Sequence, residues 1–175
     1  MTGAGDDPLG RFLATFEIVA REGRHLHYSW NRLFSEPIDA SWVSGLENAP
    51  ELAERLEAFI SRFGRMQDTL GGKLLPRWLV ALAEEPGSLI ETLNRAERLG
   101  VLVSTEAWLE ARQLRNRLVH EYMEQPDAFA EDLGLAQSHT LMLFSTFNSL
   151  RNYALERMRL AAETVPEALP DVTSV

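Results

Sequence analysis

Apolar residues recur at three- and four-residue intervals along almost the whole chain, and nowhere do they alternate one by one. A stripe that repeats every 3.6 residues is buried only when helix lies against helix, so the fold class reads all-α. Leu9, Phe12, Leu13, Phe16, Val19 and Ala20 follow the start signal Asp6–Asp7–Pro8 and predict a helix to about Leu33. A shorter helix after Pro37 carries Ile38, Trp42, Val43 and Leu46. The next opens at Pro50, a favoured first-turn proline, with Leu52, Leu56, Phe59, Ile60 and Phe63 as its stripe. Gly71, Gly72 and Pro76 should break or kink it before Leu79. Ser88 to Leu99 forms a further helix that Gly100 ends. Ser104 or Thr105 caps the next, which should run to about Met123 and stop before Pro126. A last helix spans about Asp127 to Ala162.

The reading is a bundle of four to five main helices. Residues 1–7 are expected as a flexible N-terminus, 8–162 as a single helical domain, and 163–175 as a disordered tail. A chain of 175 residues is long enough to bury one substantial core. The absence of cysteine excludes disulfides, thiolate metal sites and a cysteine nucleophile. The opening MTGAGDDPLGRF carries acids where a secretory leader carries positive charge, and no apolar run follows. The longest apolar stretches, such as Trp78 to Ala83, are too short to cross a bilayer. A cytoplasmic location with no membrane contact is therefore expected. The net charge of −9 argues against broad electrostatic capture of nucleic acid, so any RNA contact should use a local patch or a partner.

The segment Trp108 to Tyr122, WLEARQLRNRLVHEY, carries the chemistry-bearing residues. At about 100° per residue, Trp108, Ala111, Leu114, Leu118, Val119 and Tyr122 share one apolar arc. Arg115 falls inside that arc, whereas Glu110, Gln113, Arg117 and Glu121 fall outside it and read as a solvated face. A guanidinium on the buried side of a helix is costly unless it is paired or lines a polar cavity. His120 follows Arg115 by about 140° and about 7.5 Å along the axis. Asn116 lies between the two in angle, and Arg112, Asn116 and His120 form a line with four-residue spacing. Imidazole titrates near neutrality and moves a proton, while guanidinium binds phosphate bidentately and stabilises charge developing on it. The pair suffices for metal-independent cleavage of RNA, in which the ribose 2′-hydroxyl is the nucleophile. The plainer alternative is a structural ion pair at Arg115 beside a surface imidazole.

LRNRLVHEY resembles the signature of HEPN-domain proteins, an arginine, four residues, a histidine, one residue and a tyrosine. It is most similar to that of HepT-like toxins paired with minimal nucleotidyltransferase antitoxins. The match falls on Arg115, His120 and Tyr122, with Asn116 as the polar residue after the arginine. The upstream stretch RAERLGVLVSTEAWLEARQL also resembles that family's entry into its motif helix. The resemblance implies a homodimer in which two motif helices meet at a shared groove. It implies ribonuclease activity with Arg115 and His120 as catalytic residues and Arg112 and Asn116 in support, without metal or cofactor. It further implies a cognate nucleotidyltransferase that silences the protein by transferring AMP to Tyr122. The family also includes non-catalytic modules that only hold a substrate or a nucleotidyltransferase, and these form the alternative.

Other signals carry less. Gly71–Gly72–Lys73 has Leu74 where a phosphate loop needs serine or threonine, and no strand precedes it. His25 and His27 diverge by about 200° on a helix and cannot share a metal, and His139 has no evident companion. Asp68 is a candidate partner for Arg115. Trp42, Trp78, Phe144 and Phe147 read as core or dimer-seam residues, and Arg151–Asn152–Tyr153 echoes the motif but has Glu156 where histidine would fall.

Overall fold

The computed structural model describes residues 7–120 and 124–170, with only the backbone at His120. All regular structure among the described residues is helical. Helix α1 spans Pro8–Leu33, α2 Ala40–Ser44, α3 Pro50–Thr69, α4 Leu75–Ala81, α5 Leu89–Arg98, α6 Thr105–His120 and α7 Pro126–Glu156. Local chemistry accounts for the starts. Asp7 accepts from the N–H groups of Leu9 and Gly10 ahead of Pro8, and Asp39 caps α2 through Trp42. Ser88 and Glu91 form a reciprocal capping box at α5.

The long helices α1, α3, α6 and α7 form a closed ring of antiparallel neighbours. Across α1 and α3, Phe34 meets Phe59, Arg62 meets Ser29, and Thr69 meets Glu22, so one number falls as the other rises. Gly64 lies against Arg115, and Gly71 against Trp108, which sets α3 antiparallel to α6. Arg117 pairs with Asp132, while Ser104 and Ala107 share a recess with Met142 and Ser145, which reverses α7 relative to α6. Phe16 packs edge-on against Phe147, and Trp30 donates to the Gln137 carbonyl, which closes the ring between α7 and α1. The up-down-up-down order follows from stripes that each need a partner on two sides. Phe12, Phe16, Phe59, Phe63, Trp78, Trp108 and Phe147 fill the interior.

The expected break at Gly71, Gly72 and Pro76 is a widened π-turn over Leu70–Leu74, closed by the Leu75 N–H donating to the Leu70 carbonyl. Pro76 has no N–H for an ordinary helical bond, and the wider turn accommodates its ring. A Cβ on Gly71 would stand 2.9 Å from Cζ2 of Trp108, so glycine lets that indole settle on the turn.

Two expectations need correction near the C-terminus. Helix α7 ends at Glu156, short of Ala162, and Arg159 takes a left-handed φ of 59° as the chain doubles back. The segment expected as a disordered tail from 163 onward is ordered through Pro170. Leu169 is buried against Gly23, Asn148 brackets the Leu169 backbone with two hydrogen bonds, and Arg151 donates to the Pro166 carbonyl. Val165 and Leu169 were too few to show a helical period, yet both are buried, and Leu169 sits between Gly23 of α1 and Asn148 of α7. Leu169→Ala should therefore cost about 2 kcal/mol or more in chemical denaturation, the ordinary range for an emptied leucine site. A cost near zero would show that the strap does not stay docked.

Candidate functional site

Helix α6 starts where Ala107 N–H donates to Ser104 Oγ at 3.1 Å. Glu97 at the end of α5 accepts from the Thr105 N–H at 2.7 Å, and this bond holds the Glu97 carboxyl below its usual range. The start of α6 is thus fixed to α5, and its apolar arc is fixed by packing. Trp108, Ala111, Leu114 and Leu118 are buried as the wheel predicts.

Arg115 crosses α3 at Gly64. A Cβ there would sit 2.6 Å from Arg115 Nε, so the guanidinium occupies the space that glycine leaves. Arg115 Nη2 approaches Asp68 Oδ2 at 3.4 Å, and the two side chains are 36% and 56% exposed. The contact suggested in sequence is therefore present, but it is single, long and open to water. A pair of this kind contributes about 0–1 kcal/mol, so it positions the guanidinium more than it stabilises the fold. Arg115 is not sealed in the core.

The remaining residues expected at the site are distributed differently. Arg112 and Asn116 are exposed on α6, with no hydrogen bond to Arg115 among the described residues. His120 continues their line at the end of α6, where only its backbone is described. Tyr122 lies outside the described residues. Val119, expected in the buried arc, is 52% exposed among the described residues.

Arg117 is 40% exposed, in keeping with the solvated face, yet it is also paired. Its guanidinium grips Asp132 of α7 through two hydrogen bonds of 3.0 and 3.1 Å, and the Asp132 side chain is only 14% exposed. This is the geometry expected of a fork matched to a carboxylate. The available signal was Asp132 lying next to Leu133 within the apolar spacing of Phe129, Leu133 and Ala136.

A second polar cluster adjoins Asp68. Thr69 Oγ1 donates to Glu22 Oε1 at 3.0 Å, while the other Glu22 oxygen is buried without a hydrogen bond. Burial pushes the Glu22 carboxyl up, against the lowering effects of the Thr69 hydrogen bond, Arg65 and Lys73. His139 lines an apolar recess with Val103, Met142 and Phe144, and burial lowers its pKa against a weaker pull from Glu110. Among the described residues no group of three His, Asp or Glu side chains is placed to hold a metal ion. No helix there is long and apolar enough to cross a membrane.

The Glu22 shift has a definite sign. The folded state favours the neutral acid, so its unfavourable contribution appears as pH rises through the raised native pKa. Glu22→Gln should raise the melting temperature at pH 7 and have no such effect at pH 3, as thermal unfolding at the two pH values would show.

Set against protein-family models, curated proteins and solved structures, the chain matches none of them.

Proposed function

We propose that the protein is a HEPN-type, metal-independent endoribonuclease toxin that acts as a homodimer and is silenced by a minimal nucleotidyltransferase partner. The observation that carries this reading is the state of Arg115. It stands at the motif position, seated over Gly64 and open to solvent, with a single carboxylate at 3.4 Å. A phosphate presents a better-matched bidentate acceptor than so loose a carboxylate and can displace it.

In the proposed reaction the ribose 2′-hydroxyl attacks the adjacent phosphorus and the 5′-oxygen leaves, giving a 2′,3′-cyclic phosphate. His120 moves the proton, Arg115 stabilises the charge that builds on the phosphoryl oxygens, and Arg112 and Asn116 hold the flanking backbone. Silencing is attack of the Tyr122 hydroxyl on the α-phosphorus of ATP with loss of pyrophosphate, which leaves an anionic group that repels RNA.

One observation favours the alternative, a non-catalytic module that holds RNA or a nucleotidyltransferase. Arg112 and Asn116 do not converge on Arg115 among the described residues, so catalysis needs a groove completed by a second copy.

Purified protein should cleave RNA in EDTA. Arg115→Ala and His120→Ala should each reduce the rate by about 100-fold or more, in the range for a lost acid–base or charge-stabilising group. Gly64→Ala, which keeps every motif residue but displaces the guanidinium, should also impair cleavage. Undiminished activity of His120→Ala would defeat the nuclease reading. Incubation with the partner and ATP should add AMP at Tyr122, located by mass spectrometry. Modification elsewhere, or none, removes the silencing mechanism.

A further inference from the structure

The chain carries 26 acids against 17 Lys and Arg, so basic side chains free of carboxylates should be scarce on its surface. They are nevertheless gathered on one face. Arg21, His25, Tyr28 and Arg32 follow one another at four-, three- and four-residue spacing on α1, and Arg55, Arg62 and Arg65 fall on one side of α3. Among the described residues, none of these five arginines has a carboxylate oxygen within 4.0 Å.

The two rows face each other across a groove of about 450 Å³ that includes Tyr28, Ser29, Arg32, Arg55 and Arg62 in its walls. A smaller recess lined by Glu22, His25, Arg62 and Arg65 continues it along α3. Arg62 spans the two, donating to Ser29 Oγ at 2.8 Å and to the His25 carbonyl at 3.1 Å, so its position is fixed without an anion. Tyr28 is 56% exposed, with the Arg32 guanidinium 5.5 Å from its ring centre and donating to its hydroxyl at 3.0 Å. A held, exposed aromatic ring beside unpaired guanidinium groups is the arrangement that takes a base on its face and phosphates along its edge. From Arg55 to Arg65 the track runs about 15 Å along α3, at about 1.5 Å per residue, while Asp68 and Arg115 lie further round that helix, on its α6 side. Glu51 and Glu54 line the opposite end, where they oppose an anion.

We infer that the groove between α1 and α3 is a binding track for single-stranded RNA, with Tyr28 stacking a base and Arg32, Arg55, Arg62 and Arg65 holding phosphates. RNA as the ligand rests on the function proposed above, but occupancy of the track requires no cleavage.

The test is fluorescence anisotropy of the full chain with a fluorescein-labelled 2′-O-methyl 12-mer, which lacks the nucleophile and stays intact. Arg32→Gln/Arg55→Gln/Arg62→Gln should weaken binding tenfold or more and flatten the salt dependence by about two counterions, at about 0.7 per phosphate contact. Tyr28→Ala should weaken it by about fivefold or more, the effect of losing one stacked base. Glu51→Gln/Glu54→Gln should tighten it. Arg55→Glu guards against a folding artefact, since Arg55 has no hydrogen bond or ion pair to other described residues, and it too should weaken binding. Unchanged affinity in the folded Arg variants overturns the track, as does a wild-type chain that ignores the oligonucleotide, including one that uses this face only for an acidic protein. Cleavage of unmodified RNA, followed in parallel, separates the two claims. A chain that binds through the groove but never cuts keeps the track and loses the nuclease. One that cuts while the groove variants bind normally keeps the nuclease and loses the track.

Discussion

The close approach of α3 to α6 is the contact on which the rest of the molecule depends. Two glycines on α3 and its π-turn make it: Gly64 receives the Arg115 side chain, and Gly71 receives the Trp108 indole. With a methyl group at either position the facing side chain must shift, because helix backbones this close leave no slack in a packed interior. The seam therefore does two things at once. It buries the largest side chain of α6, and it carries a guanidinium to the rim of the core without enclosing it.

The electrostatics follow from that arrangement. Arg117, two residues on and about 200° round the helix, pairs with Asp132 and fastens α6 to α7. Arg115 is left with one loose carboxylate that water reaches. Two arginines of the same helix thus have opposite fates, decided by which neighbouring helix each one faces. On the α1–α3 face, too, Arg32, Arg55 and Arg62 share a groove with Glu51 and Glu54 without forming an ion pair among the described residues.

Much of the architecture was legible in the residues. Pro8, Pro50 and Ser88 mark helix starts because each satisfies or lacks an N–H that the first turn leaves orphaned, and Pro126, read as a stop, is itself the first residue of α7. The burial of Trp108, Ala111, Leu114 and Leu118 follows from spacing alone. The strap through Val165 and Leu169 was not legible, since two apolar residues without a period acquire meaning only when Gly23 provides a seat. The pairing of Arg117 with Asp132 was not legible for the same reason: a wheel identifies the angle of a residue but not the helix that stands at that angle.

By itself the sequence determined an all-helical chain, the places where its helices begin, and the presence of Arg115 among apolar neighbours. These are local properties, set by spacing, capping and backbone sterics within a few residues. Tertiary structure decided that α1, α3, α6 and α7 close into an antiparallel ring, that the contact of Arg115 with Asp68 is long and open to water, and that arginines of α1 and α3 line one groove. Those outcomes join residues dozens of positions apart, and only the packing of whole helices determines which of them meet.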